Sequence, residues 1–317
     1  PTGPSLCSLI FGIEGTSPKK EKKMNGIILI NKEKNITSHD IVYKIKKIVN
    51  EKVGHAGTLD PMATGVLPIL IGKGTLCSKY LINHDKIYET TIQLGKKSDT
   101  ADGEGKIIEE KEVKEDNLKE EKIKSIVKKF IGKQEQIPPM YSAIKINGKK
   151  LYEYARKGEK VEIEPRNIEI YSLDLLNIDE KEQQITLKVS CSKGTYIRSL
   201  CEDISKSLDT VGYMLNLNRL KVDRFDISKS ITMQEIENSD NSYEFINKNL
   251  ITIEELFKES DEIVLDSRKL SLFLNGVKLT SNKKDGVYRI YVNTDANKKF
   301  IGLGIISNGI LKRDVIC

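Results

Sequence analysis

Gly54-His55-Ala56-Gly57-Thr58-Leu59-Asp60-Pro61-Met62-Ala63-Thr64-Gly65 places three glycines, one histidine and one carboxylate within twelve residues, just ahead of the apolar run Val66 to Ile71. That is the composition of a shaped loop holding one acid. Pro61 confines Asp60 to extended or turn backbone. Two readings of Asp60 stand side by side: a nucleophile or general base presented at a cleft, or an Asx turn, which Asp-Pro forms often. His55 divides the same way, between a loop histidine bonding backbone and a group that positions a substrate phosphate or base.

Outward from the loop, Gly26 to Asn31 reads as a short buried strand. Thr37 or Ser38 caps a helix whose Ile41, Ile45, Ile48 and Val49 make an apolar stripe. Val66 to Ile71 is apolar throughout, so periodicity does not separate strand from helix. Lys86 to Leu94 alternates as a half-buried strand, and Ser98 to Gly105 is an Asp- and Gly-rich turn. Asp116 to Phe130 reads as a solvated helix. Ile137 to Ser142 is extended because of Pro138 and Pro139. Strands follow at Glu162 to Asp174 and Gln184 to Ser190, then a helix at Thr195 to Leu208. The polar stretch Asn238 to Ser242 is a candidate boundary. From Ile263 onward short β segments between turns describe a small β-barrel appended to a larger α+β domain.

Composition bounds the function. Hydrophobic residues make up 38% and charged residues 31% of 317, the profile of a globular chain with a full core. A net charge of +6 suits a polyanionic partner without requiring one. Five cysteines and three histidines are scattered, with no Cys-x-x-Cys pair, which argues against zinc and a disulfide framework and for a reducing cytoplasm. No apolar run reaches the ~18 residues a membrane span needs. Residues 1–23 end in Lys19-Lys20-Glu21-Lys22-Lys23 just before Met24, so they are expected to be an extension, disordered and preceding the fold.

Two further segments hold chemistry. Cys191 to Leu200 runs from strand into helix and places Tyr196 and Arg198 at the helix start. An arginine there can pair with a carboxylate and keep it charged, and a tyrosine can stack on a base or move a proton. Lys145, Lys149, Lys150, Arg156, Lys157 and Lys160 are interleaved with Tyr152 and Tyr154, which suits phosphate contact plus stacking. A solvated charged face is the plainer reading.

Taken in order, the segments resemble one family. The loop from Gly54 to Gly65 resembles the catalytic motif of the bacterial tRNA pseudouridine-55 synthases, the TruB family. Pro138 to Ala143, Lys149 to Arg156, Lys193 to Arg198 and, more weakly, Asn218-Arg219-Leu220 are similar to that family in the same order. The resemblance spans about Met24 to Arg224. It implies a mixed, largely antiparallel-sheet catalytic domain over 24–250 and a PUA-like RNA-binding barrel over 260–317. It implies Asp60 as catalytic residue, Tyr88 stacking on the target base, Tyr196 as a second active-site tyrosine, Arg198 pairing with the aspartate, and Leu217 lining the base pocket. It implies RNA contact by His55 and Lys32, although Lys32 is followed here by Glu33 where the family has proline. The basic residues Lys145, Lys149, Lys150 and Arg156 are expected on the RNA backbone, and the loop glycines to let the chain turn tightly beside a flipped nucleotide.

The implied activity is isomerisation of uridine 55 in the T-loop of tRNA, with no cofactor or metal and no obligatory protein partner. A monomer in the cytoplasm is expected, its barrel reaching the acceptor stem. The rivals are a non-catalytic tRNA-folding protein, a metal-dependent nuclease using Asp60, Asp99 and Asp102, and a relative that works with a guide RNA and protein partners.

Overall fold

The computed structural model describes residues 23–81, 84–142, 144–159, 161–294 and 297–317. The expected extension before Met24 lies almost wholly outside them, and so does Lys160. The strands of the first two-thirds are β1 (Gly26–Lys32), β2 (Val53–His55), β3 (Thr64–Ile71), β4 (Lys86–Leu94), β5 (Lys96–Ser98), β6 (Ile107–Glu110), β7 (Gly132–Gln136), β8 (Lys145–Ile146), β9 (Lys149–Lys150), β10 (Arg166–Asp179), β11 (Gln184–Cys191), β12 (Gly212–Val222) and β13 (Phe225–Asp226). The helices there are α1 (Ser38–Val49), α2 (Glu120–Lys128), α3 (Leu151–Arg156) and α4 (Ile197–Ser207), followed by α5 (Met233–Glu237) and α6 (Ser242–Lys248). Strand β14 (Ile251–Thr252) and helix α7 (Ile253–Leu256) lead into β15 (Glu262–Leu265), α8 (Ser267–Leu274), β16 (Leu279–Thr280), β17 (Gly286–Asn293), β18 (Lys298–Ser307) and β19 (Ile310–Ile316).

The main sheet runs β14-β1-β3-β12-β4-β11-β10-β7, with β2 on β3 and β13 on β12. Every pairing in it is antiparallel except β12 with β3, which run parallel through Asn218↔Thr64 and Arg219↔Gly65. A second sheet runs β15-β17-β18-β19-β16. The expected mixed, largely antiparallel α+β fold is what the chain adopts, and the part expected as a small C-terminal β-barrel is this five-stranded sheet.

Helices α1, α2, α4, α5 and α6 cover one face of the main sheet, and the core beneath them gathers Ile41, Ile123, Ile204, Ile236 and Ile246. The polar stretch 238–242 is therefore the turn between two helices of this body. Strands β1 and β3 are buried on both faces. Ile28, Ile30, Leu67 and Ile69 enter the main core. Ile27, Leu29, Val66 and Leu70 enter a second core with Leu303 and Val315 of the C-terminal sheet. A strand covered on both faces reads as a continuous apolar run, so alternation could not identify Val66 to Ile71.

Three elements differ from expectation for local reasons. The helix expected over 116–130 is a 3-10 turn (Glu115–Leu118) followed by α2, with Lys119 extended between them. Asn117 is buried and donates to Leu208 O at 2.5 Å, which ties that turn to the end of α4. The strand expected from Glu162 begins at Arg166, past Pro165, which has no N–H for the ladder. The turn 98–105 folds back on the sheet: Met214 N donates to Ala101 O at 3.1 Å, and Asp102 is buried.

Candidate active site

The loop between β2 and β3 presents Asp60, and side chains from distant elements hold its backbone. Ser38, which opens α1 behind a Thr37–Asp40 capping box, accepts from Leu59 N at 2.9 Å and donates to Leu59 O at 3.1 Å. Lys32 at the end of β1 donates to Pro61 O at 3.0 Å, as does the Asn35 amide at 2.9 Å. Arg219 of β12 donates Nη2 to Gly57 O at 3.0 Å and Nε to Val66 O at 2.8 Å. The carbonyls flanking the aspartate are thus fixed before any substrate arrives, which is the preorganisation a catalytic group needs.

Lys32 is fully buried, and besides Pro61 it donates to Glu33 O at 2.9 Å and Ile36 O at 2.7 Å. Its three N–H bonds are all committed. The expected RNA contact does not fit this placement, because Lys32 has no donor left and no path to solvent. Burial pulls its pKa down to about 8. Gly65 has a reason of its own to be glycine. Its φ is +107°, and a Cβ there would stand 2.3 Å from Arg219 O and 2.5 Å from Arg219 N. The space Gly65 leaves is filled by the β12 backbone, so this glycine serves the parallel β3–β12 approach.

Arg198, at the start of α4, joins the site together. Its Nη2 lies 3.1 Å from Asp60 Oδ2 and donates to Tyr141 O at 2.8 Å. Its Nη1 lies 3.6 Å from Asp102 Oδ2 and donates to Thr100 O at 3.2 Å. The Arg198 side chain is 8% exposed and that of Asp60 38%, so the pair has a sheltered cation and a carboxylate open to the cleft. Tyr196, the residue before α4, is gripped by Gln136, which accepts from Tyr196 N at 2.8 Å and donates to Tyr196 O at 3.0 Å.

Asp60, Tyr88, Tyr196, Arg198 and Leu217 all line one cavity of about 390 Å³, together with Thr58, Tyr141, Ser142, Tyr152 and Met214. Tyr88 is buried on β4 with Arg219 as its cross-strand neighbour on β12; burial raises its pKa, against the pull of that cation. His55 sits half-buried on β2, outside the cavity wall. Burial first, and Arg219 second, lowers its pKa, and its Nδ1 has no partner among the described residues.

The basic segment folds as a β8–β9 hairpin followed by α3. Lys145, Lys149 and Arg156 are exposed and Lys150 is half-buried. Lys150 and Arg156 each lie 5.3 Å from the Tyr152 ring, and Tyr152 is itself a cavity wall. The cationic surface therefore runs to the rim of the Asp60 cavity. The sequence reading gives Gln136 no role, and it takes Ser38 only as a helix cap, Asp102 only as a ligand in the nuclease alternative and Arg219 only as part of a weak family match. For Arg219 the signal toward the site is a charge inside the strand β12.

The family follows from comparison. Residues 44–197 match the profile of the TruB family pseudouridylate synthase N-terminal domain, and residues 198–264 that of the tRNA pseudouridylate synthase B C-terminal domain. The tRNA pseudouridine synthase B of Clostridium kluyveri is 42% identical over 289 residues, covering 89% of this chain and 96% of that protein. The chain belongs to the TruB family of pseudouridine synthases. The TruB-family protein of Aquifex aeolicus is 38% identical over 291 residues, 91% of this chain and 98% of its own. Among solved structures, the chain is similar to one in a Cbf5-Nop10-Gar1 complex, with 25% identity, a TM-score of 0.61, and coverage of 88% of this chain and 78% of that one. It also shares the fold of a chain in an H/ACA RNP bound to a substrate RNA containing 2'-deoxyuridine, with 22% identity, a TM-score of 0.63, and coverage of 92% of this chain and 85% of that one. The two TruB profiles meet at the start of α4, so the cavity takes Asp60, Tyr88 and Tyr196 from one and Arg198 and Leu217 from the other. Among the described residues no helix is long and apolar enough to cross a membrane.

Proposed function

We propose that this chain converts uridine 55 in the T-loop of tRNA to pseudouridine, with Asp60 as the essential carboxylate. The observation that carries this is the Asp60–Arg198 ion pair at 3.1 Å in a cavity walled by Tyr88, Tyr196 and Leu217. The reaction breaks the N1–C1′ bond, turns the uracil and joins C5 to C1′. N1 gains a proton and C5 loses one, so no outside donor or oxidant enters. Asp60 serves either opening step, attack on C1′ or removal of the C2′ proton, because both need a charged carboxylate with a free face. The sheltered arginine beside it, 3.1 Å from Oδ2, fixes where the carboxylate stands.

The target base leaves its stack to reach the cavity, at a cost of a few kcal/mol. Tyr88 is the proposed stacking partner, since base–aromatic stacking returns about 1–3 kcal/mol per base. The exposed Lys145, Lys149 and Arg156, with the rim residue Lys150, meet the stem-loop backbone. The reading extends to a monomer acting in the cytoplasm without an obligatory protein partner.

The test is incubation with an unmodified tRNA transcript, followed by chemical mapping of pseudouridine. The wild type forms product at the T-loop position. Asp60→Asn forms none, while filter binding shows tRNA affinity within about threefold of wild type. Measurable isomerisation by Asp60→Asn overturns the assignment.

A further inference from the structure

Ser142 holds a polar atom with nothing to bond. The residue is 5% exposed, and its Oγ has no hydrogen-bond partner among the described residues. A buried hydroxyl without a partner destabilises the fold that contains it, and such groups are rare enough to need a reason. Ser142 is also part of the wall of the Asp60 cavity. Four other polar side chains of that wall have partners. Asp60 and Arg198 hold each other, Thr195 Oγ1 donates to Ser192 O at 3.0 Å, and Tyr152 accepts from Lys150 at 3.3 Å.

The serine backbone is pinned on both sides. Tyr141 O accepts from Arg198 Nη2 at 2.8 Å, and Ser142 O accepts from Tyr152 N at 3.2 Å. The guanidinium that pairs with Asp60 therefore also places the peptide that carries this hydroxyl. Only rotation of the side chain and its proton is left free.

We infer that Ser142 Oγ hydrogen-bonds the carbonyl–imide edge of the target uracil and retains the base while it turns. The inference rests on the pseudouridine reading given above. A half-turn of uracil about the line through N3 and C6 exchanges N1 with C5, and it exchanges the two carbonyls. The edge O2, N3–H, O4 presents the same acceptor–donor–acceptor pattern before and after. A hydroxyl both donates and accepts, so one fixed serine engages that edge at the start and end of the turn. Cytosine, with an amino group in place of one carbonyl, lacks that symmetry.

The test compares wild type with Ser142→Ala in three measurements: single-turnover rate on an unmodified tRNA transcript, Kd for the same tRNA, and Tm. The rate should fall about tenfold, the size of one lost hydrogen bond. Kd should hold, and Tm should stay level or rise, because alanine removes an unpaired buried group. A rate within twofold of wild type overturns the inference. So does a rate loss accompanied by a lower Tm, which assigns Ser142 to the fold instead. A wild type that forms no pseudouridine sinks the parent reading, whereas an active wild type with an indifferent Ser142→Ala sinks this one alone.

Discussion

One guanidinium at position 198 meets Asp60 at 3.1 Å and Asp102 at 3.6 Å, and it donates to Tyr141 O at 2.8 Å and Thr100 O at 3.2 Å. A planar fork with five donors can span such a set, and a lysine ammonium cannot. Arg198→Lys keeps the charge but loses the geometry. Turnover should fall roughly a hundredfold, the scale of two lost charge-assisted hydrogen bonds at ~1.5 kcal/mol each. Binding of tRNA should change little, because Arg198 is buried away from the basic rim; single-turnover kinetics beside filter binding separates the two. Turnover within threefold of wild type would remove Arg198 from the catalytic machinery. The residue scale is also where sequence reading reached its limit. Asp60 and Arg198 stood in segments with distinctive composition. Asp102 sat in an Asp- and Gly-rich turn of the kind that faces solvent, and contacts of Ala101 with Met214 of β12 and of Thr100 with Arg198 fold it inward. Lys32 read as a basic RNA contact, yet it is buried under three carbonyls. Charge is visible in a sequence, and burial of a charge depends on carbonyls from elsewhere in the fold.

At the scale of elements, β3 and β12 decide where the loop can stand. They are parallel neighbours at Arg219↔Gly65, and Arg219 reaches from there to Gly57 O and Val66 O. Gly65→Ala would put a Cβ 2.3 Å from Arg219 O, at a φ of +107°. The obstacle is backbone, so it has no rotamer to yield with. The substitution should cost at least about 3 kcal/mol from overpacking and strain, lowering Tm by roughly 5–10 °C. Gly54→Ala is the control: its Cβ would meet Thr75 Cγ2 at 4.0 Å, and its effect should stay within about 1 kcal/mol. Equal Tm values for the two variants would show that the β3–β12 approach tolerates a side chain. The strands β1, β4 and β11, the cap of α1 and the start of α4 were legible because local pattern decides them. The pairing of β12 with β3 was not, since it joins residues 154 apart through one short parallel contact, and no local period encodes a partner.

For the whole molecule, the question is whether the C-terminal sheet is a separate module. Leu303 and Val315 of that sheet share a core with Ile27, Leu29, Val66 and Leu70 of β1 and β3, the strands that frame the Asp60 loop. Around this core, Tyr80 donates to Asp314 Oδ2 at 2.6 Å, Lys79 pairs with the same carboxylate, and the Tyr80 ring meets Phe257 edge-on at 5.1 Å. Apolar burial contributes about 1.5–3 kcal/mol for each large side chain enclosed, so baring several exceeds the net stability of an ordinary domain. Truncation after residue 260 therefore should not yield a trimmed enzyme with weakened acceptor-stem contact. The fragment should lose more than 10 °C in Tm, a drop of several kcal/mol at this chain length, and its rate should fall on an isolated T-arm stem-loop as much as on full tRNA. Thermal unfolding with both substrates decides the matter. A fragment that keeps the wild-type Tm and loses rate only on full tRNA would make the C-terminal sheet an independent RNA-reading module; parallel losses would make it the outer wall of the core on which the Asp60 loop is built.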